Sequence, residues 1–215
     1  MRNLNERLGD IKDMVSDTTG NLKRSLEIIH EIFEKNTFDP ILYGEAKSIE
    51  DKINLFETNV DEEVTKTIAR FQPMAVNLRF LISVVKISMI LERMNDLCIN
   101  ILKVMKHSKN LSSYSQYNLC QMLEKVQHMF ELFLKSYEDD DLSFSYLILS
   151  LDEEVNAFKT SVIESLKEAP VEIQQIEALF ISQHLERIGD SIKNLAEIIV
   201  YIYNGVDIRH GNELL

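Results

Sequence analysis

The segment Leu91-Glu92-Arg93-Met94-Asn95-Asp96 returns 94 residues later as Leu185-Glu186-Arg187-Ile188-Gly189-Asp190. The match widens to Ser88, Glu92, Asp96 and Asn100 against Ser182, Glu186, Asp190 and Asn194 at the same offset. Residues four apart are neighbours on one face of a helix. Each half of the chain therefore carries a Ser-x-x-x-Glu-x-x-x-Asp-x-x-x-Asn stripe with two carboxylates side by side. Like charges at that spacing cost a bare helix about 0.2–0.5 kcal/mol. A fold that keeps two such stripes needs helices at both places and something to offset the repulsion.

The rest of the chain fits two copies of a helical unit. Leu4 to Asn36 repeats apolar residues at helical spacing, through Leu8, Ile11, Val15, Leu22, Leu26 and Ile29. Asp39-Pro40 reads as an N-cap followed by proline at the first helical position. A second helix then runs from Ile41 to Phe71. Pro73 ends it and opens a third through Val104, which is more apolar and therefore the buried centre of its unit. The polar stretch from His107 to Asn118 separates the halves. A fourth helix spans Leu119 to Tyr137, and Asp139-Asp140-Asp141 marks the acidic start of a fifth, from Leu142 to Glu168. Pro170 opens a sixth, which stops near Asn204-Gly205.

The outer helices correspond as well. Glu50-x-x-Ile53-Asn54 aligns with Asp152-x-x-Val155-Asn156 at an offset of 102. This predicts an all-α fold of two pseudo-repeated antiparallel three-helix bundles, residues 1–110 and 111–215, built from six long helices.

The net charge of −12 argues against a nucleic-acid binder, which needs a basic footprint. It suits cations or basic surfaces as partners, and it equally suits plain solubility. Cys98 and Cys120, the only cysteines, read as buried free thiols of a cytosolic protein. The N-terminus from Met1 lacks a signal-peptide core, and no apolar run reaches the roughly 18 residues of a membrane span.

No cation on its own helix answers Glu92 and Asp96, whereas Lys193 lies three residues past Asp190. Compensation in the first stripe must come from another helix, from water or from a bound cation; if a cation, Glu92, Asp96, Glu186 and Asp190 are the candidate ligands. Asn100, Asn194, Glu50, Asn54, Asp152 and Asn156 are secondary candidates. Oxygen-only donors suit Mg²⁺, Mn²⁺, Ca²⁺ or ferric iron; zinc usually adds His or Cys, and neither falls in the stripes. A single Glu-x-x-x-Asp ordinarily marks a solvated face. Two copies in register with matching Ser and Asn weigh against that reading. No Glu-x-x-His pair, phosphate loop or nucleophile–histidine arrangement supports catalysis.

The paired Leu-Glu-Arg-x-x-Asp motifs, with Gln72-Pro73-x-Ala75-x-Asn77-Leu78-Arg79, Asn54, Glu57, Asp61 and the tail Asp207-Ile208-Arg209-His210, resemble the PhoU family over essentially the whole chain. Asn77 replaces that family's Asp, and Asn95 replaces its Gly in the first motif. The resemblance implies two three-helix bundles, usually in a homodimer. It implies a cytoplasmic, non-enzymatic regulator that couples a PstB-like phosphate transporter ATPase to a PhoR-like sensor kinase. That role is negative regulation when phosphate is plentiful, with contact to the membrane only through partners. It also implies metal ions, among Mg, Mn, Fe and Zn, on the Glu-x-x-x-Asp motifs. Two other functions fit the residues: an accessory protein of a low-affinity phosphate transporter, and a carboxylate-bridged metal enzyme or store.

Overall fold

The computed structural model describes residues 3–139, 141–167 and 171–205. Within them the chain is all-helical: α1 (Leu4–Lys35), α2 (Pro40–Phe71), α3 (Ala75–His107), a 3₁₀-helix (Leu111–Tyr117), α4 (Leu119–Asp139), α5 (Leu142–Ser165) and α6 (Ile173–Asn204). None is long and apolar enough to cross a membrane.

Local chemistry sets the ends. Asn3 and Glu6 form a reciprocal capping box at α1. The Asp39 side chain accepts from the backbone N–H groups of Ile41 and Leu42, with Pro40 at the first turn, as the sequence predicts. Asp141 does the same for α5 through the Ser143 N–H, which accounts for one acid of the Asp139–Asp141 run. Asp140 lies outside the described residues, as do Pro170 and the Asp207–His210 tail. Gly205 ends α6 at φ 72°, in the left-handed region where a side chain is strained. Gln72 closes α2 in the same region without that freedom.

The polar stretch between the halves is more structured than its composition suggests. It contains the 3₁₀-helix, so the described chain has seven helices rather than six. Leu111 and Tyr114 are buried there. The hydroxyls of Tyr114 and Ser108 both donate to Glu177 Oε2 on α6, at 2.8 Å each. The Tyr114 ring meets Phe33 of α1 edge-on.

Short connections reverse the chain between successive helices. Helices α1, α2 and α3 pack on one another, and so do α4, α5 and α6. α3 lies against α6, and α1 against α4, so one buried apolar cluster runs through all six. The start of α3 meets the end of α6. There Arg79 Nε donates to the Ile202 carbonyl (2.9 Å), and its Nη2 reaches that of Tyr203 (3.4 Å). A cation on the terminal carbonyls of a helix satisfies orphan acceptors and its macrodipole together. Arg79 of the Gln72–Arg79 motif is thereby a cap for the other half of the chain.

One polar pair is sealed inside. The Ser25 hydroxyl on α1 donates to Asn95 Oδ1 on α3 (2.8 Å), and both residues are buried. Asn95→Ala strands that hydroxyl and is expected to cost about 1–3 kcal/mol. Urea melts should show the loss, with part of it recovered in Ser25→Ala/Asn95→Ala, where neither partner remains.

Candidate metal centre

Four residues advance a helix by about 400°, so each step of a stripe turns about 40° beyond a full circle. Over twelve residues the stripe swings roughly a third of the way round its helix. Its ends therefore leave the face that its middle presents. Ser88 and Ser182 are turned inward and buried. Their hydroxyls donate to the carbonyls of Val85 (2.8 Å) and Leu179 (2.9 Å) on their own helices, so they are not free ligands. At the other end, Asn100 Oδ1 accepts from Lys103 Nζ (3.3 Å). Asn194 is exposed and lines a hollow with Lys86, Met89 and Ile90 of α3. Only the central Glu and Asp of each stripe stay together beside the outer helix.

In the first half, Glu92 is partly buried and Asp96 reaches solvent. The Glu92 carboxyl is pushed above its ordinary range, first by burial and then by the charges of Asp96, Glu57 and Glu50. Four carboxylates from α2 and α3 therefore share one field. Lys47 pairs with Glu50 from the preceding turn of α2. Asn54, expected beside Glu50, is exposed on α2. The second contributor from α2 is Glu57, seven residues beyond Glu50. Two turns of helix return to nearly the same face, and that seven-residue spacing was the available signal.

The second half has the same frame with different charges. Asp190 is raised first by partial burial, then by Glu186 and Asp152, while Lys193 and Lys159 pull it down. Lys159 Nζ lies 3.1 Å from Glu186 Oε1, and Lys193 Nζ lies 3.0 Å from the buried Asp152 Oδ2. The Asp152 carboxylate holds the Lys193 ammonium above its ordinary range. Lys193, expected to partly neutralise Asp190, does pull its carboxyl down, while its direct ion pair is with Asp152 across the α5–α6 contact. Asn156 is partly buried on α5. At the offset of 102, Lys159 stands where the first half has Glu57. At the offset of 94, Lys193 stands where it has Ile99. Two changes of residue type turn an acidic cluster into a largely paired one.

The motif's Asn95 and Gly189 face the helix contacts. Asn95 bonds Ser25 as described. At its counterpart Gly189, an added Cβ would sit 3.4 Å from Val155 Cγ1, about an ordinary van der Waals contact, so α5 packs closely there without excluding a small side chain. Arg93 and Arg187 are exposed. His184 is half-buried, and burial together with the nearby Arg187 charge lowers its pKa, favouring the neutral ring.

Among the described residues, one group of three or more His, Cys, Asp or Glu side chains brings its ligand atoms within 4.8 Å of one another: His30, Cys120 and Glu124. It bridges α1 and α4, neither of which carries a stripe. Cys98 is buried as expected, whereas Cys120 is only partly so.

These features define an all-helical bundle protein with duplicated carboxylate stripes on its two central helices. The chain belongs to the PhoU family: the family model for the PhoU domain matches residues 11–105 and 119–199. It is similar to a Pseudomonas aeruginosa protein named phosphate-specific transport system accessory protein PhoU homolog. The two are 29% identical over 179 residues, covering 80% of this chain and 74% of that one. The Serratia marcescens phosphate-specific transport system accessory protein PhoU is 30% identical over 173 residues, covering 74% of this chain and 68% of that one. The fold matches the crystal structure of PhoU from Pseudomonas aeruginosa with a TM-score of 0.80 at 23% identity, over 95% of this chain and 100% of that one. It also matches the phosphate transport system regulatory protein PhoU from Streptococcus pneumoniae, with a TM-score of 0.83 at 20% identity, over 95% and 99%.

Proposed function

We propose that this protein is a cytoplasmic, non-catalytic regulator of phosphate uptake. It acts as an adaptor between a PstB-like transporter ATPase and a PhoR-like sensor kinase, and restrains both when phosphate is plentiful. The observation that carries this reading is the family match to residues 11–105 and 119–199, with relatives named as phosphate-specific transport accessory proteins. The matched segments also support two repeated three-helix units, divided near residue 110, and a homodimer is the proposed assembly.

The reading includes carboxylate cation sites. Glu92, Asp96, Glu50 and Glu57 supply the first; Glu186, Asp190 and Asp152 supply a second of lower affinity. The amides of Asn54, Asn100, Asn156 and Asn194 are at most outer contributors. Oxygen donors alone favour Mg²⁺ or Mn²⁺, with iron as a further occupant. A bound cation would offset the repulsion that raises the Glu92 carboxyl.

The test is direct binding of the purified full-length protein to the transporter ATPase subunit and the kinase from the same organism, with and without Mg²⁺ or Mn²⁺. Saturable binding to both is the expected outcome. Binding to neither overturns the adaptor reading.

A further inference from the structure

The geometry points to a zinc site between α1 and α4, formed by His30, Cys120 and Glu124, with Glu34 beside His30 at its rim, and distinct from the acidic stripes. Each helix supplies an i, i+4 pair: His30 with Glu34, and Cys120 with Glu124. Residues at that spacing project together from one face. The two faces meet where α1 packs on α4.

The spacing of the donor atoms suits the ion. His30 Nε2 lies 3.9 Å from Glu34 Oε1 and 3.8 Å from Glu124 Oε1. Cys120 Sγ lies 3.8 Å from Glu124 Oε1. In a tetrahedral zinc site, bonds of about 2.0–2.3 Å put neighbouring ligand atoms roughly 3.3–3.8 Å apart. The ligand atoms of His30, Cys120 and Glu124 all lie within 4.8 Å of one another, so side-chain movements of up to about an ångström would close three positions of a tetrahedral site and leave the fourth to solvent; the Glu124 end is exposed enough to move.

The donor types select among metals. A thiolate and an imidazole favour zinc over Mg²⁺ or Mn²⁺, which prefer oxygen alone. Without metal, burial and the charges of Glu124 and Glu34 hold the Cys120 thiol protonated above its ordinary pKa. Zinc binding therefore forms the Zn–S bond as the thiol proton leaves to solvent. Because α1 belongs to the first matched segment and α4 to the second, an ion here would tie the two halves together.

Cobalt(II) substituting for zinc provides the probe. Metal-free, reduced full-length protein titrated with Co²⁺ should show a thiolate-to-cobalt charge-transfer band, which zinc then displaces. Cys120→Ser should abolish the band, and His30→Ala should weaken cobalt binding about tenfold or more. Glu92→Gln/Asp96→Asn should leave the band intact, which separates this site from the stripes. Circular dichroism establishes that each variant folds; Ser at the partly buried position 120 keeps the volume of the site. Absence of the band in the unaltered protein, or its persistence in Cys120→Ser, overturns the assignment.

Discussion

Replacing Glu92 by Gln and Asp96 by Asn together is expected to stabilise the metal-free protein at pH 7 and to remove its response to Mg²⁺ or Mn²⁺. The two effects have one cause. In the folded chain Glu92 loses solvent and faces Asp96, Glu57 and Glu50, so its carboxyl is raised. A raised acid binds more protons folded than unfolded. Stability therefore falls as pH climbs from the ordinary glutamate value near 4.5 through the raised folded value, and the penalty is complete above it. Neutral amides lift it. Relief of about 1 kcal/mol would raise the melting midpoint of a chain this size by roughly 2–4 °C. A cation offsets the same penalty by binding. At a concentration a hundred times its dissociation constant it adds about 2.7 kcal/mol, or roughly 5–10 °C. Thermal melts by far-ultraviolet circular dichroism at pH 5 and pH 7, with and without cation, measure all of this. Loss of stability in the metal-free variant, or an undiminished cation response, would count against the first stripe as a site.

Much of this arrangement was legible in the sequence because helices write their faces at a fixed period. The Asp39-Pro40 cap, the Gly205 stop and the burial of α3 follow from local chemistry and hydrophobic spacing alone. The central Glu and Asp of each stripe were legible because a motif repeated in register is hard to arrange by chance. What failed was the extension of the stripe as a straight line. The drift of about 40° per step buries Ser88 and carries Asn194 round to α3. Ion pairing across helices was also hidden. Lys193 lies as close in sequence to Asp190 as a partner should, yet it bonds Asp152, because α5 packs there. Nor did hydropathy reveal the 3₁₀-helix, whose Tyr114 is held by Glu177 some 63 residues away. The cluster of His30 with Cys120 depends on α1 meeting α4, a contact between halves that no pattern within either half encodes.

The charge difference between the halves makes the second large effect predictable. Lys159→Glu with Lys193→Ile gives the second half the residue types of the first at the two positions that hold its ammonium groups. In the metal-free state this should destabilise the fold. The Asp152 carboxylate is nearly buried, and its one hydrogen-bonded ammonium is removed. Breaking a fully buried ion pair costs about 3–5 kcal/mol; Lys193 and Lys159 are partly solvated, so roughly 1–3 kcal/mol is expected. Cation affinity should move the other way. Each ammonium now occupies the field a cation would use, and removing both should strengthen Mg²⁺ or Mn²⁺ binding at Glu186, Asp190 and Asp152 on the order of 100-fold, about 2.7 kcal/mol. Calorimetric titration should then resolve a second site of affinity like the first, and saturating cation should restore the lost thermal stability. A variant that is destabilised but gains no cation binding would show that the lysines hold only the α5–α6 contact. A gain would mean that one frame serves two purposes. In the first half, Lys47 answers Glu50 alone, and Glu92 keeps a raised carboxyl beside Asp96 and Glu57. In the second half the chain carries its own cations, so α5 stays docked on α6 whatever the ionic conditions.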